Sequence, residues 1–140
     1  MATSLPPIVL SIETPAAPDD AWAALTEPER IAEWFTDASP LGAVGDAYRL
    51  DFGDGSVVEG VVTLLEPGQR FGHTWAWTDP DPTPATEVTW SIDAIVTGSR
   101  ITLTHAGWAE AGVDEAIRND HEAYWSGYLD DLEAILSGLD

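Results

Sequence analysis

The 140-residue sequence contains no cysteine, no lysine and one methionine. Without cysteine, disulfides, thiolate catalysis and Cys-ligated zinc are excluded. Basic residues are scarce too. Five arginines (Arg30, Arg49, Arg70, Arg100 and Arg118) stand against 25 Asp plus Glu, for a formal net charge of −20. A phosphate backbone or an anionic lipid surface needs a basic face to neutralise it, so no nucleic-acid or membrane partner is expected. No stretch approaches the ~20 apolar residues of a membrane span. Met1 to Pro7 has neither the basic start nor the apolar run of a secretory leader, so a cytoplasmic location is expected. The acidity fits a salty cytosol or a basic partner; most simply, it keeps copies of the chain apart in solution. Chemical motifs are also missing. There is no GxSxG, and Gly53, Gly55 and Gly60 lie in a hairpin without the lysine and following helix of a phosphate loop.

What the chain does have is tryptophan, seven residues of it. Each large aromatic buries about 150–250 Å², so seven can line a cavity as well as fill a core. The apolar residues also fall into clear periods. Ile8, Leu10 and Ile12 alternate as in a strand with one buried face. Thr14 to Pro18 reads as a turn. Pro18-Asp19-Asp20 opens a short helix, whose buried stripe is Trp22 and Leu25. Thr26-Glu27-Pro28-Glu29 has the form of a capping box for a second helix, with Ile31, Trp34 and Phe35 facing inward. Residues 36–46 read as loop.

The period then becomes two. Tyr48, Leu50 and Phe52 alternate before the Gly53-Asp54-Gly55 turn. A strand is predicted over Ser56 to Glu66. The next, from Gln69, puts Phe71, His73, Trp75 and Trp77 on one face. Asp79 to Pro84 carries three prolines and is not expected to be regular. Strands follow over Thr86 to Val96, with Val88, Trp90 and Ile92 on one face, and over Arg100 to His105, with Ile101, Leu103 and His105 on one face. From near Asp114 the spacing of Ile117, His121, Tyr124, Trp125, Tyr128, Leu132, Ile135 and Leu136 predicts a long amphipathic helix. A curved antiparallel sheet with one apolar face needs a cover, and this helix is the element long enough to supply it. One α+β domain over 1–140 is expected, its core about 8–137, in the order β-α-α-β-β-β-β-β-α.

Several segments together resemble a known family. These are Ala16 to Phe35, Gly60-Val61-Val62 with Glu66-Pro67-Gly68-Gln69-Arg70-Phe71, Thr74-Trp75-Ala76-Trp77, Thr102 to Trp108, and Gly127-Tyr128 through Leu132 and Leu136. They are similar to the motifs of the activator of heat shock protein 90 ATPase homologue family, in the SRPBCC, or Bet v 1-like, superfamily. Tyr128 departs from the pattern, standing where the family usually carries tryptophan; Trp125, one turn earlier, shares its helix face. The resemblance implies a helix-grip, START-like fold, a curved antiparallel sheet wrapped on a long C-terminal helix. It also implies a cavity between the two for an apolar or aromatic small molecule. True co-chaperones of the family carry a further N-terminal domain, for which this chain is too short.

The candidate pocket combines polar points with aromatic walls. His73 and His105 share strand parity with core residues, and His121 lies on the helix stripe. Three inward histidines suit acid–base chemistry or metal ligation; the plainer alternative is three hydrogen-bonded core histidines. No HxH or HExxH spacing supports a metal, and no catalytic residue, metal ligand or cofactor is assigned. Trp75, Trp77, Trp90, Trp108, Tyr124, Trp125 and Tyr128 form the walls, or else a packed core. Trp22 and Trp34 are read as core. Arg49, Asp51, Glu59 and Arg100 are read as outward cross-strand charges, and Asp46, Asp54, Asp79 and Asp81 as turn residues. Three functions remain open: a small-molecule binding module, a chaperone regulator, and a cyclase- or hydrolase-type enzyme using the pocket histidines.

Overall fold

A computed structural model describes residues 6–39, 42–53, 55–79, 84–108, 111–113 and 115–137. Strand β1 (Ile8–Thr14) leads into helices α1 (Pro18–Thr26) and α2 (Pro28–Trp34). Strands β2 (Asp37–Ala38), β3 (Ala47–Asp51), β4 (Val57–Glu66), β5 (Arg70–Asp79), β6 (Thr86–Ile95) and β7 (Gly98–Ala106) follow, and helix α3 (Glu115–Leu136) closes the fold. The strands form one seven-stranded sheet in the order β1-β7-β6-β5-β4-β3-β2. Every pairing is antiparallel. This is the sheet-and-helix grip that strand parity and the helix stripe imply.

Four expectations need correction. The stretch expected as loop, 36–46, contains strand β2. Its two residues are too few to show a period, yet they pair with Asp51 and Leu50 of β3. The capping box does not form, because Thr26 still belongs to α1 and its hydroxyl donates back to the Trp22 carbonyl at 2.8 Å. Pro28 alone, at the first position, starts α2. On α3, Ile117 and Tyr124 are exposed and Leu129 is buried, so the buried stripe is His121, Trp125, Leu129, Leu132 and Leu136. Asp79 ends β5 rather than a turn. Asp54, Asp81 and Asp114 lie outside the described residues.

Parity accounts for the core. Ile8, Val88, Ile101, Leu103 and Leu132 are fully buried, around Trp34, Trp75, Trp90 and Trp125. Trp34 is core as expected, its indole donating to the Ala24 carbonyl at 2.8 Å. Trp22 is half-buried and meets Phe71 edge-on at 5.5 Å. The outward charges pair across strands: Arg49 opposite Glu59, and Arg100 opposite Glu13 at 2.7 Å. Strands β3, β4 and β5 approach closely at Gly60, where a Cβ would run into Thr74 and the Tyr48 ring. The Tyr48 hydroxyl donates to the Thr74 carbonyl there. The backbone of α3 runs closest to β1 and the two short helices. Towards the middle strands, large side chains fill the space between helix and sheet, and they do not fill it completely.

Candidate functional site

A cavity of about 300 Å³ lies beneath α3. Six of the predicted residues line it: Trp75, Trp77, His121, Tyr124, Trp125 and Tyr128. Tyr124 is 64% exposed and stands at its mouth. Sequence reasoning missed four further lining residues, Phe35, Thr36, Phe52 and Ser56. Periodicity turns Phe35 inward and puts Phe52 in step with Tyr48 and Leu50, but all four lie just past the ends of α2 and β3 or just before β4, where no period marks them as pocket rather than core. The Phe35 ring meets Tyr128 at 4.7 Å and Phe52 at 5.5 Å, and Phe52 meets Trp77 at 5.3 Å, so these rings form one continuous wall. A neighbouring cavity of about 220 Å³ shares Trp75, Trp77 and His121 and adds Trp108.

The remaining predicted residues lie elsewhere. His73 and Trp90 line a separate space of about 50 Å³. His105 lines none of these three spaces and is fully buried. His73 and His105 both stand opposite Val88, one on each side, so two strand spacings, about 10 Å, separate their backbones. The histidines that meet are His105 and His121, with ring centroids 5.6 Å apart.

Hydrogen bonds settle what these rings do. The Trp125 indole donates to Nδ1 of His105 at 3.0 Å, so the His105 proton sits on Nε2 and points at Thr86 Oγ1, 2.6 Å away. Thr86 in turn donates to the Trp75 carbonyl at 3.3 Å. His121 is held the other way round. Its Nδ1 donates to the Ile117 carbonyl at 2.9 Å, and its Nε2 accepts the Trp77 indole proton at 3.0 Å. Protonating either ring would set N–H against N–H. Burial, with the neighbouring His121 and His73, lowers the pKa of His105 to about 2. Burial also lowers His121. It brings His73 down to about 4, against a hydrogen bond to the Thr74 carbonyl that favours the charged form. The three histidines are neutral at physiological pH.

No side-chain cation reaches the cavity. All five arginines are ion-paired: Arg30 with Glu33, Arg49 with Asp51 and Glu59, Arg70 with Glu66, Arg100 with Glu13, and Arg118 with Glu122. Among the described residues no group of three His, Asp or Glu is placed to hold a metal ion. The site is an uncharged aromatic chamber with a few polar tips.

Residues 15–137 match the family model described as "Activator of Hsp90 ATPase homolog 1-like protein". The chain belongs to that family. Among solved structures it resembles DynU16, a protein in the dynemicin biosynthetic locus, at 25% identity and a TM-score of 0.83 over 94% of this chain. It spans only 48% of DynU16. Protein MLL2253 from Mesorhizobium loti is 24% identical with a TM-score of 0.84, over 96% of this chain and 98% of that one. The Aha1 dimer from Colwellia psychrerythraea is 22% identical with a TM-score of 0.77, over 95% and 97%. No curated protein matches the chain.

Proposed function

We propose that the protein binds a small, uncharged, apolar or aromatic molecule in the cavity beneath α3. The observation that carries this reading is an aromatic-walled space of about 300 Å³ left open between helix and sheet. Ligand pockets start at about this size and are mostly apolar with a few placed polar groups. A cavity of about 150 Å³ accepts benzene, so this one has room for two or three fused rings. The charge balance selects against anions, because a net charge of −20 with every arginine paired offers them no counter-charge. Binding is favoured over turnover. Both ring nitrogens of His105 and of His121 are engaged within the protein, which leaves neither ring free as a general base.

The test is titration with prodan, an uncharged naphthalene dye whose emission shifts to the blue in apolar surroundings. A saturable blue shift is expected with the natural chain. It should be lost in Ser56→Trp, which fills the cavity. A shift that does not saturate, or that survives the filled cavity, refutes the reading.

Family membership over residues 15–137 favours a second reading, a regulator of a chaperone ATPase. The two are separated by adding the protein to the chaperone at low salt and measuring ATP hydrolysis, which a binding module of the first kind leaves unchanged.

A further inference from the structure

Buried tryptophans normally find an acceptor for the indole N–H. Four tryptophans of this core do so. Trp34 donates to Ala24, Trp77 to His121, Trp108 to the His105 carbonyl and Trp125 to the His105 ring, all at 2.8–3.0 Å. Trp75 does not. Its Nε1 is buried and has no hydrogen-bond partner. It is also the tryptophan at the centre of the site. Its ring meets Trp77 at 5.7 Å and Trp125 at 5.1 Å, and it lies in the wall shared by the cavities of about 300 and 220 Å³.

A buried donor without an acceptor is costly to keep. The protein spends its nearby acceptors on other indoles: Trp125 takes Nδ1 of His105 and Trp77 takes Nε2 of His121. The Thr86 oxygen likewise accepts the Nε2 proton of His105. The cavity wall contributes rings, the hydroxyls of Thr36, Ser56, Tyr124 and Tyr128, and no cation.

We infer that Trp75 Nε1 is the polar anchor of the ligand site, and that the ligand is a neutral, planar two- or three-ring aromatic carrying a carbonyl acceptor on its rim. This rests on the cavity reading above and adds to it a direction and a chemical group. The ring-lined wall recognises the aromatic body; the unpaired indole recognises the carbonyl.

The experiment uses two probes of one shape, 2-acetonaphthone and 2-isopropenylnaphthalene, in which a C=CH2 group replaces the C=O. Affinities are measured by calorimetry for the natural chain and for Trp75→Phe, with the indole N–H signals followed in ¹H–¹⁵N spectra. The ketone should bind the natural chain about tenfold more tightly than the alkene, as one newly satisfied buried donor implies. It should shift the Trp75 indole signal where the alkene does not, and its advantage should vanish in Trp75→Phe. Equal binding of the two probes with an unmoved Trp75 signal overturns the anchor and leaves the cavity reading standing. Binding of neither probe removes both. If Trp75→Phe does not fold, the spectra of the natural chain decide alone.

Discussion

His73 should make the fold sensitive to acid in a way that one substitution reveals. The ring is buried against Tyr48, at 4.5 Å, and Phe71, at 6.0 Å, and burial lowers its pKa from 6.5 to about 4. In the unfolded chain the same ring titrates near 6.5. Between those values the unfolded state binds a proton that the folded state refuses, so stability falls as pH falls through that window. Above about 6.5 the contribution is constant, and below about 4 the loss is complete. Each pH unit is worth about 1.4 kcal/mol, so at pH 5, some 1.5 units below the unfolded value, His73 costs about 2 kcal/mol. His73→Phe keeps a ring against Tyr48 and Phe71 and removes the titration. Urea unfolding followed by tryptophan fluorescence, at about pH 8 and about pH 5, gives the stability of both chains. The natural chain should lose about 2 kcal/mol more than the variant between the two conditions. The acidic residues, His105 and His121 are common to both chains and cancel in the difference. Equal losses would mean that His73 takes up its proton while folded, and the reasoning from burial would be wrong.

Two further outcomes are expected. Gly60→Ala places a methyl group against the Thr74 backbone and the Tyr48 ring, and should cost about 1–3 kcal/mol as overpacking; a midpoint in urea unchanged from the natural chain contradicts the close approach. Raising sodium chloride from about 0.05 M to about 0.5 M should raise the melting temperature, because screening relieves the self-repulsion of a chain with a net charge of −20. A fall in melting temperature would show that the surface ion pairs outweigh that repulsion.

The sheet and the long helix were legible because their signals repeat. Val88, Trp90 and Ile92 alternate along one strand, as do Ile101, Leu103 and His105 along the next, and each set is buried. Strand β2 was not legible, since pairing with β3 and not composition makes Asp37 and Ala38 a strand. The site was partly legible. Parity told which residues face the concave side, but not where along it they sit. His73 and His105 therefore looked like a pair, while His121, from the helix, is the ring that reaches His105. Helical periodicity likewise blurred Tyr124 and Trp125, adjacent residues that end at 64% and 2% exposure. The unpaired indole of Trp75 leaves no mark in the sequence at all, because it depends on where its neighbours direct their own hydrogen bonds.

The bonds that hold α3 also bear on how a guest reaches the cavity. Arg118 ties the start of the helix to the Pro6 and Pro7 carbonyls, His121 ties it to β5 through Trp77, and Trp125 ties it to β7 through His105. Lifting the helix would break all of these together and bare the core, which is the province of slow, collective opening. Swinging the exposed Tyr124 ring aside breaks none of them, and exposed side chains change rotamer in picoseconds to nanoseconds. A guest that enters past Tyr124 would thus pass a door rather than a moving wall, and its exchange would not wait on any motion of the fold.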